Sequence, residues 1–291
     1  MHSNISKKGS LFSCSRFADY FTLYIASYRR KLLFASLQIF IVTFIFYMFL
    51  FYTGGESSYQ NLLQRGIVTD ADPFWGAQTQ FNFIFAFIFS ALAGFWMFGA
   101  TSSKKSRLMT FEIPASQMEK FFTWWLIYLP IFLVVMFVCF FLADLLRIIW
   151  LKIGTEYGDY AHLLPFKNLL DFNTPSLNSG LTSGNDRILT ISIYCVIVLM
   201  NSLFAVGSIY FHKLSFLKTV ASLFVGLIIF SLLMSAGIKV FFGTAHSITS
   251  RLSSDESTSW TVTAPVIGII CIYLYWLCYA RFKETEIINR W

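Results

Sequence analysis

Charge is scarce in this chain. Only 13% of its 291 residues are Asp, Glu, Lys or Arg, against about 25% in a soluble domain, while 56% are hydrophobic and 34 are Phe. So few polar groups cannot cover a water-soluble globule of this length, which argues against a soluble catalytic domain and makes a membrane protein the first expectation. Paired cysteines are missing as well. Cys14, Cys139, Cys195, Cys271 and Cys278 form no CxxC and fall in the leader or in apolar runs, so neither disulfides nor structural zinc are expected. His162, His212 and His246 stand apart from one another and from thiols or carboxylates at ligand spacing, and a metal site needs several converging ligands. There is no GxSxG, HExxH or paired-carboxylate motif and no GxxxxGK[ST] phosphate loop. The chain is therefore not expected to be an enzyme by itself, to bind a cofactor, or to hydrolyse ATP by that device. Internal repeats and the inverted hydropathy symmetry of many secondary carriers are also lacking.

What the sequence does have is hydrophobic length. Six apolar runs reach the roughly 20 residues that a helix needs to cross hydrocarbon: about 31–53, 78–101, 121–150, 188–211, 216–242 and 262–281. Lipid offers no partner to backbone polar groups, so such runs should be helical. The expected fold class is an all-α integral membrane protein with six transmembrane helices, preceded by an in-plane amphipathic N-terminal helix. The first run begins near Lys31 behind a polar, basic leader and has no small-residue cleavage site after it, so it reads as a retained span. The chain divides into a cytoplasmic leader with the in-plane helix, 1–30, and a six-helix transmembrane domain, 31–291.

Orientation follows the cations. With the N-terminus in the cytoplasm, the inside segments hold 15 of the 22 Lys and Arg but five of the 15 Asp and Glu. The outside segments hold the remaining seven cations and ten acids. The net +7 is then a topology signal, with no nucleic acid implied, and both termini are expected in the cytoplasm beneath the cell's inner membrane. Trp75, Trp124, Trp125, Trp150 and Trp260 fall where spans meet headgroups, as aromatic belts do.

Two cytoplasmic segments are candidates for function. In SRFADYFTLYIASYRRK, residues Phe17, Tyr20, Phe21, Tyr24 and Tyr28 recur at helical spacing and make one aromatic stripe. Such a helix can lie in the inner headgroup plane with the stripe in the acyl boundary and its cations on anionic lipid; a plain extension of the first span would carry the same stripe. The second segment, SSKKSRLMTFEIPASQMEKFFTWW, joins spans two and three. Pro114 suits a helix start, and Ser116 with Glu119 has the spacing of a capping box.

The stretch IPASQMEKFFTWW resembles the LPxSxxEKF-type segment between the second and third spans of type-2 ABC transporter permeases. Six spans, inside termini, an N-terminal in-plane helix and a charged second connection are shared too, so the likeness covers most of the chain. Ile113 stands where leucine is commoner. The larger outside loop here, 151–187, joins spans three and four, where members often enlarge the connection between five and six. The resemblance implies a coupling helix seated in a separately encoded ATPase, which would hold the ATP and Mg, and an assembly of two permeases with two ATPases. Arg107 and Leu108 would belong to the coupling helix, and Glu112, Pro114, Ser116, Glu119 and Lys120 would lie at or beside the contact, with Ser116 and Glu119 serving mainly as the cap. The cargo expected of an aromatic and aliphatic cavity is amphipathic or lipid-like. A non-transporting membrane assembly or sensing subunit is the alternative from a different class.

Polar groups inside the spans are few: Gln38, Asn82, Asn201, and the i, i+3 pair Asp144 and Arg147 near the outer end of span three. Intramembrane ionisable residues are functional candidates, but Asp144 and Arg147 can pair with each other and amides commonly join helices. Small residues at Ser90 and Gly94 allow close helix approach, within one subunit or between two.

Overall fold

A long apolar run in a chain with few charges leaves its backbone no partner but itself, and the structure is helical accordingly. It is a computed structural model that describes residues 12–65, 72–99, 113–165, 183–211, 216–226, 228–229 and 256–288, with the side chains of 65, 183–189, 256–263 and 285–288 excepted. Among the described residues there is no strand. The elements are α1 (Cys14–Leu50), a π-helical turn (Phe51–Gly55), α2 (Glu56–Arg65), α3 (Trp75–Met97), α4 (Gln117–Leu126), a second π-helical turn (Ile127–Ile131), α5 (Phe132–Gly154), α6 (Ser183–Tyr210), α7 (Phe216–Gly226) and α8 (Glu256–Ile288).

Among the described residues five helices are long and apolar enough to cross a membrane: Cys14–Gln64, Trp75–Met97, Gln117–Gly154, Thr190–Tyr210 and Ala264–Glu284. The run 216–242 is described only over α7 and two further residues, and the rest of it lies outside the described residues.

The first helix departs from the expected division at residue 30. It runs unbroken from Cys14 through the π turn to Gln64, 51 residues, or about 77 Å at 1.5 Å per residue. That is far more than the roughly 30 Å of hydrocarbon, so it must project from the membrane. The aromatic stripe forms the opening turns of this same helix and is not a separate element. Its residues are turned toward the bundle. Tyr20 and Tyr24 are buried in a cluster with Phe98, Trp124 and Phe282, against which Phe21 and Tyr28 pack, and Phe17 lies 5.6 Å from the Phe122 ring. The stripe was expected to meet acyl chains; it meets protein because α4 supplies an aromatic surface of its own at the same level.

Buried side chains form three layers along the bundle. One end is Tyr20, Tyr24, Trp124, Ile127 and Phe282; the middle is Ile39, Ala86, Phe89, Met136 and Phe140; the other end is Phe51, Tyr59, Phe74 and Leu151. Outside these layers the helices remain apolar. Leu33, Phe34, Val42, Ile45 and Phe49 on α1 and Ile269, Ile272 and Trp276 on α8 are exposed, a surface that suits lipid and not water.

Packing runs chiefly from α1 to α5 on one side and from α3 through α6 to α8 on the other. The α3–α6 contact uses the small residues noted above. Ser90 Oγ donates to the Ile197 carbonyl at 3.0 Å, and a Cβ at Gly94 would overlap the Asn201 backbone. Ser90 and Gly94 therefore serve a contact within the subunit. Gly207 plays the same part where α6 meets α7, since a Cβ there would collide with Thr219. In the second π turn Pro130 has no N–H to give, which breaks the regular ladder.

Candidate functional site

The head of the third span is built from Ile113 to Lys120. Ser116 is the N-cap with an extended backbone, which Pro114 two residues earlier favours by keeping the chain out of the helix before that point. The Glu119 N–H donates to Ser116 Oγ at 3.2 Å and the Ser116 N–H to Glu119 Oε2 at 2.8 Å, completing the capping box. The other carboxylate oxygen reaches across to the first helix. Glu119 Oε1 accepts from the Ser13 N–H at 2.8 Å and from Arg16 Nη2 at 3.2 Å. One buried carboxylate thus satisfies free amides at the starts of two helices, which share the same need for an anion. Arg16 is 43% exposed on its side-chain surface, so its ion pair adds little on its own. Lys120 is buried. Arg107, Leu108 and Glu112 lie outside the described residues.

A second polar group closes the opposite end of the bundle. Asp144 and Arg147 pair as their spacing suggests, at 2.8 Å, but at the centre of a larger network. Arg147 Nη2 also binds Asp72 at 3.1 Å, its Nη1 donates to Tyr59 Oη at 3.0 Å, and the guanidinium lies 4.8 Å from the centre of the Phe74 ring. Tyr59 Oη donates to Asp72 Oδ1 at 2.5 Å. Asp72 further accepts from the Phe74 and His162 N–H groups, and Asp144 from that of Leu164. All three ionic side chains are buried. Burial of two carboxylates and one guanidinium costs far more than their attraction returns unless the remaining lone pairs are satisfied, and here backbone amides satisfy them. Sequence reasoning found Asp144 and Arg147 and missed Asp72 and Tyr59. The available signal was Asp-Pro before the Trp75 helix, a turn in which an Asp side chain binds the amide two residues on.

Asn201 is the hub between these ends. Its Nδ2 donates to the carbonyls of Ser90 at 3.0 Å and of Tyr128 at 3.1 Å, and its Oδ1 accepts from Tyr275 Oη at 2.8 Å. It joins α3, the Pro130 turn, α6 and α8, and leaves no polar atom of its own side chain idle. Asn82 Oδ1 accepts from Tyr47 Oη. Asn82 Nδ2, Thr43 Oγ1 and both polar atoms of Gln78 are fully buried and have no hydrogen-bond partner among the described residues. Gln78 and Asn82 stand one turn apart on α3, as do Thr43 and Tyr47 on α1.

Among the described residues no three His, Cys, Asp or Glu side chains converge as metal ligands would. The geometry therefore offers anchoring points at both ends and the centre of a helical bundle, and defines a polytopic helical membrane protein. No family model matches the chain, and neither do curated proteins or solved structures.

Proposed function

We propose that the chain is the permease subunit of an ATP-driven exporter of the type-2 ABC class, with six spans and both termini in the cytoplasm beneath the inner membrane. In this reading it pairs with a second permease, identical or related, and a separate ATPase supplies ATP and Mg chemistry. Arg107, Leu108 and Glu112 meet that ATPase, and the cargo is amphipathic or lipid-like.

The observation that carries the reading is the construction at Glu119. A connection that served only to close a loop would need no more than the Ser116 cap. Here the buried carboxylate also ties the head of the third span to the head of the first, at Ser13 and Arg16. A push received just upstream of Ile113 would reach two spans together, which is what a coupling element requires. The IPASQMEKF stretch with its charged approach supports the same assignment. Because Ser116 and Glu119 are engaged within the chain, the partner contact is assigned to Arg107 through Glu112.

The test is purification of the tagged full chain from its native membranes in mild detergent, with mass spectrometry of what remains bound. A soluble ATP-binding subunit in equal amount is expected, depleted in the Arg107→Ala/Glu112→Ala variant while membrane insertion is kept. A preparation free of any ATPase, under conditions that keep a known ABC exporter intact, would overturn the proposal and favour a stand-alone membrane subunit.

A further inference from the structure

A cavity of about 360 Å³ opens on the flank of α1 where that helix passes the end of α3 and the Pro130 turn. Its wall includes Tyr28, Lys31, Phe34, Gln38, Trp96 and Tyr128. Lys31 marks the point at which the apolar run begins, and its ammonium lies 5.0 Å from the centre of the Tyr28 ring. Gln38 is seven residues further along the same helix, about 10 Å deeper. The cavity thus runs from the level of headgroups into the start of the hydrocarbon. Phe34, 65% exposed, stands on its membrane side, so the cavity opens toward lipid.

The chemistry of the wall is one-sided. Among the described residues no Asp or Glu lines it, and none pairs with Lys31. Arg29 and Arg30 precede Lys31 on the same helix. Gln38 is an exposed amide at a depth where water is scarce, and a partner with ester carbonyls would meet its need for a hydrogen bond. A cation at the top, aromatic rings beside it, one amide below and an apolar remainder match a single amphipathic anion from head to tail.

The geometry points to a site for one anionic phospholipid of the surrounding leaflet, its phosphate at Lys31, its glycerol esters at Gln38, and its upper acyl carbons against Phe34 and Trp96. The inference rests on the membrane placement of the chain alone. It requires neither the transport reading nor an ATPase.

Trp96 in the wall supplies the readout. The full chain is placed in bilayers of phosphatidylcholine containing brominated phosphatidylglycerol, or brominated phosphatidylcholine at the same mole fraction. The Trp96 signal is the difference between wild type and Trp96→Phe. Quenching by the anionic lipid should exceed that by the zwitterionic one about fivefold in apparent affinity, the share of one lysine near a surface. The preference should vanish in Lys31→Gln, persist in Lys31→Arg, and persist in Arg29→Gln/Arg30→Gln. Lys31 is exposed, so its replacement does not threaten folding. Equal quenching by the two lipids, or a preference that survives Lys31→Gln, would overturn the proposal. Loss of the preference on adding inorganic phosphate at constant ionic strength would overturn it too, by assigning the site to a free anion.

Discussion

Replacing Arg147 with methionine removes the only cation among the described residues of a buried group that also contains Asp72 and Asp144. The apolar stem is kept, so the change isolates the charge. Two carboxylates would then share one dry pocket, and the Tyr59 and Phe74 contacts of the guanidinium would be lost with it. Breaking a buried pair by removing one partner costs roughly 3–5 kcal/mol, and the second orphaned acid places this case at the upper end of that range. Unfolding in mixed micelles of increasing SDS fraction, followed by circular dichroism, would measure it. The companion is the triple variant Arg147→Met/Asp72→Asn/Asp144→Asn. Its side chains are neutral, and the amide oxygen introduced by Asp72→Asn could still accept from the Phe74 N–H, so most of the loss should return. A loss below about 1 kcal/mol for Arg147→Met, against the range expected for a broken buried pair, or a triple variant no better than the single one, would refute the view that uncompensated charge sets the energetics at this end.

Two other positions test the remaining joints. Gly94→Val would drive a side chain into the Asn201 backbone and separate α3 from α6, a change expected to cost about 1–3 kcal/mol by overpacking, whereas Gly54→Ala, with nothing within 4 Å of its Cβ, should leave the midpoint of the same unfolding curve nearly unchanged. Ser116→Ala should cost about 1 kcal/mol as a lost cap. Glu119→Gln should loosen the starts of both α1 and α4, read as faster amide exchange at residues 13–17 as well as 116–120, and exchange rising at one helix alone would contradict the shared carboxylate.

Much of the architecture was legible in the sequence because hydrophobic length forces helix in a membrane. The five spans that are described overlap the runs read from composition, and the Ser116–Glu119 cap is local, fixed by a three-residue spacing. What stayed hidden depends on distance along the chain. Glu119 and Ser13 are 106 residues apart, and Arg147 and Asp72 are 75 apart; no periodicity reveals such partners. The direction of the aromatic stripe was hidden for a related reason. In a membrane both lipid and protein accept Phe and Tyr, so spacing shows that Tyr20 and Tyr24 share a face without saying which environment that face meets. The functional residues proposed upstream of Ile113 rest on the family resemblance of the whole connection, since they precede the IPASQMEKF stretch and lie outside the described residues.

The first and third spans are fastened to each other at both ends. Ser13 and Arg16 hold Glu119 where the two helices begin, Tyr24 meets Tyr128 and Cys139 meets the Ser36 carbonyl along the way, and Tyr59 meets Arg147 where they leave. The contacts advance in the same order along both helices, so the two run parallel. Two parallel beams pinned at top and bottom behave as a braced strut: neither can tilt, slide or rotate without the other. Bending would then be expected at the seams where this strut meets α3, α6 and α8, and Asn201, bonded to Ser90, Tyr128 and Tyr275, is the joint that holds those seams together.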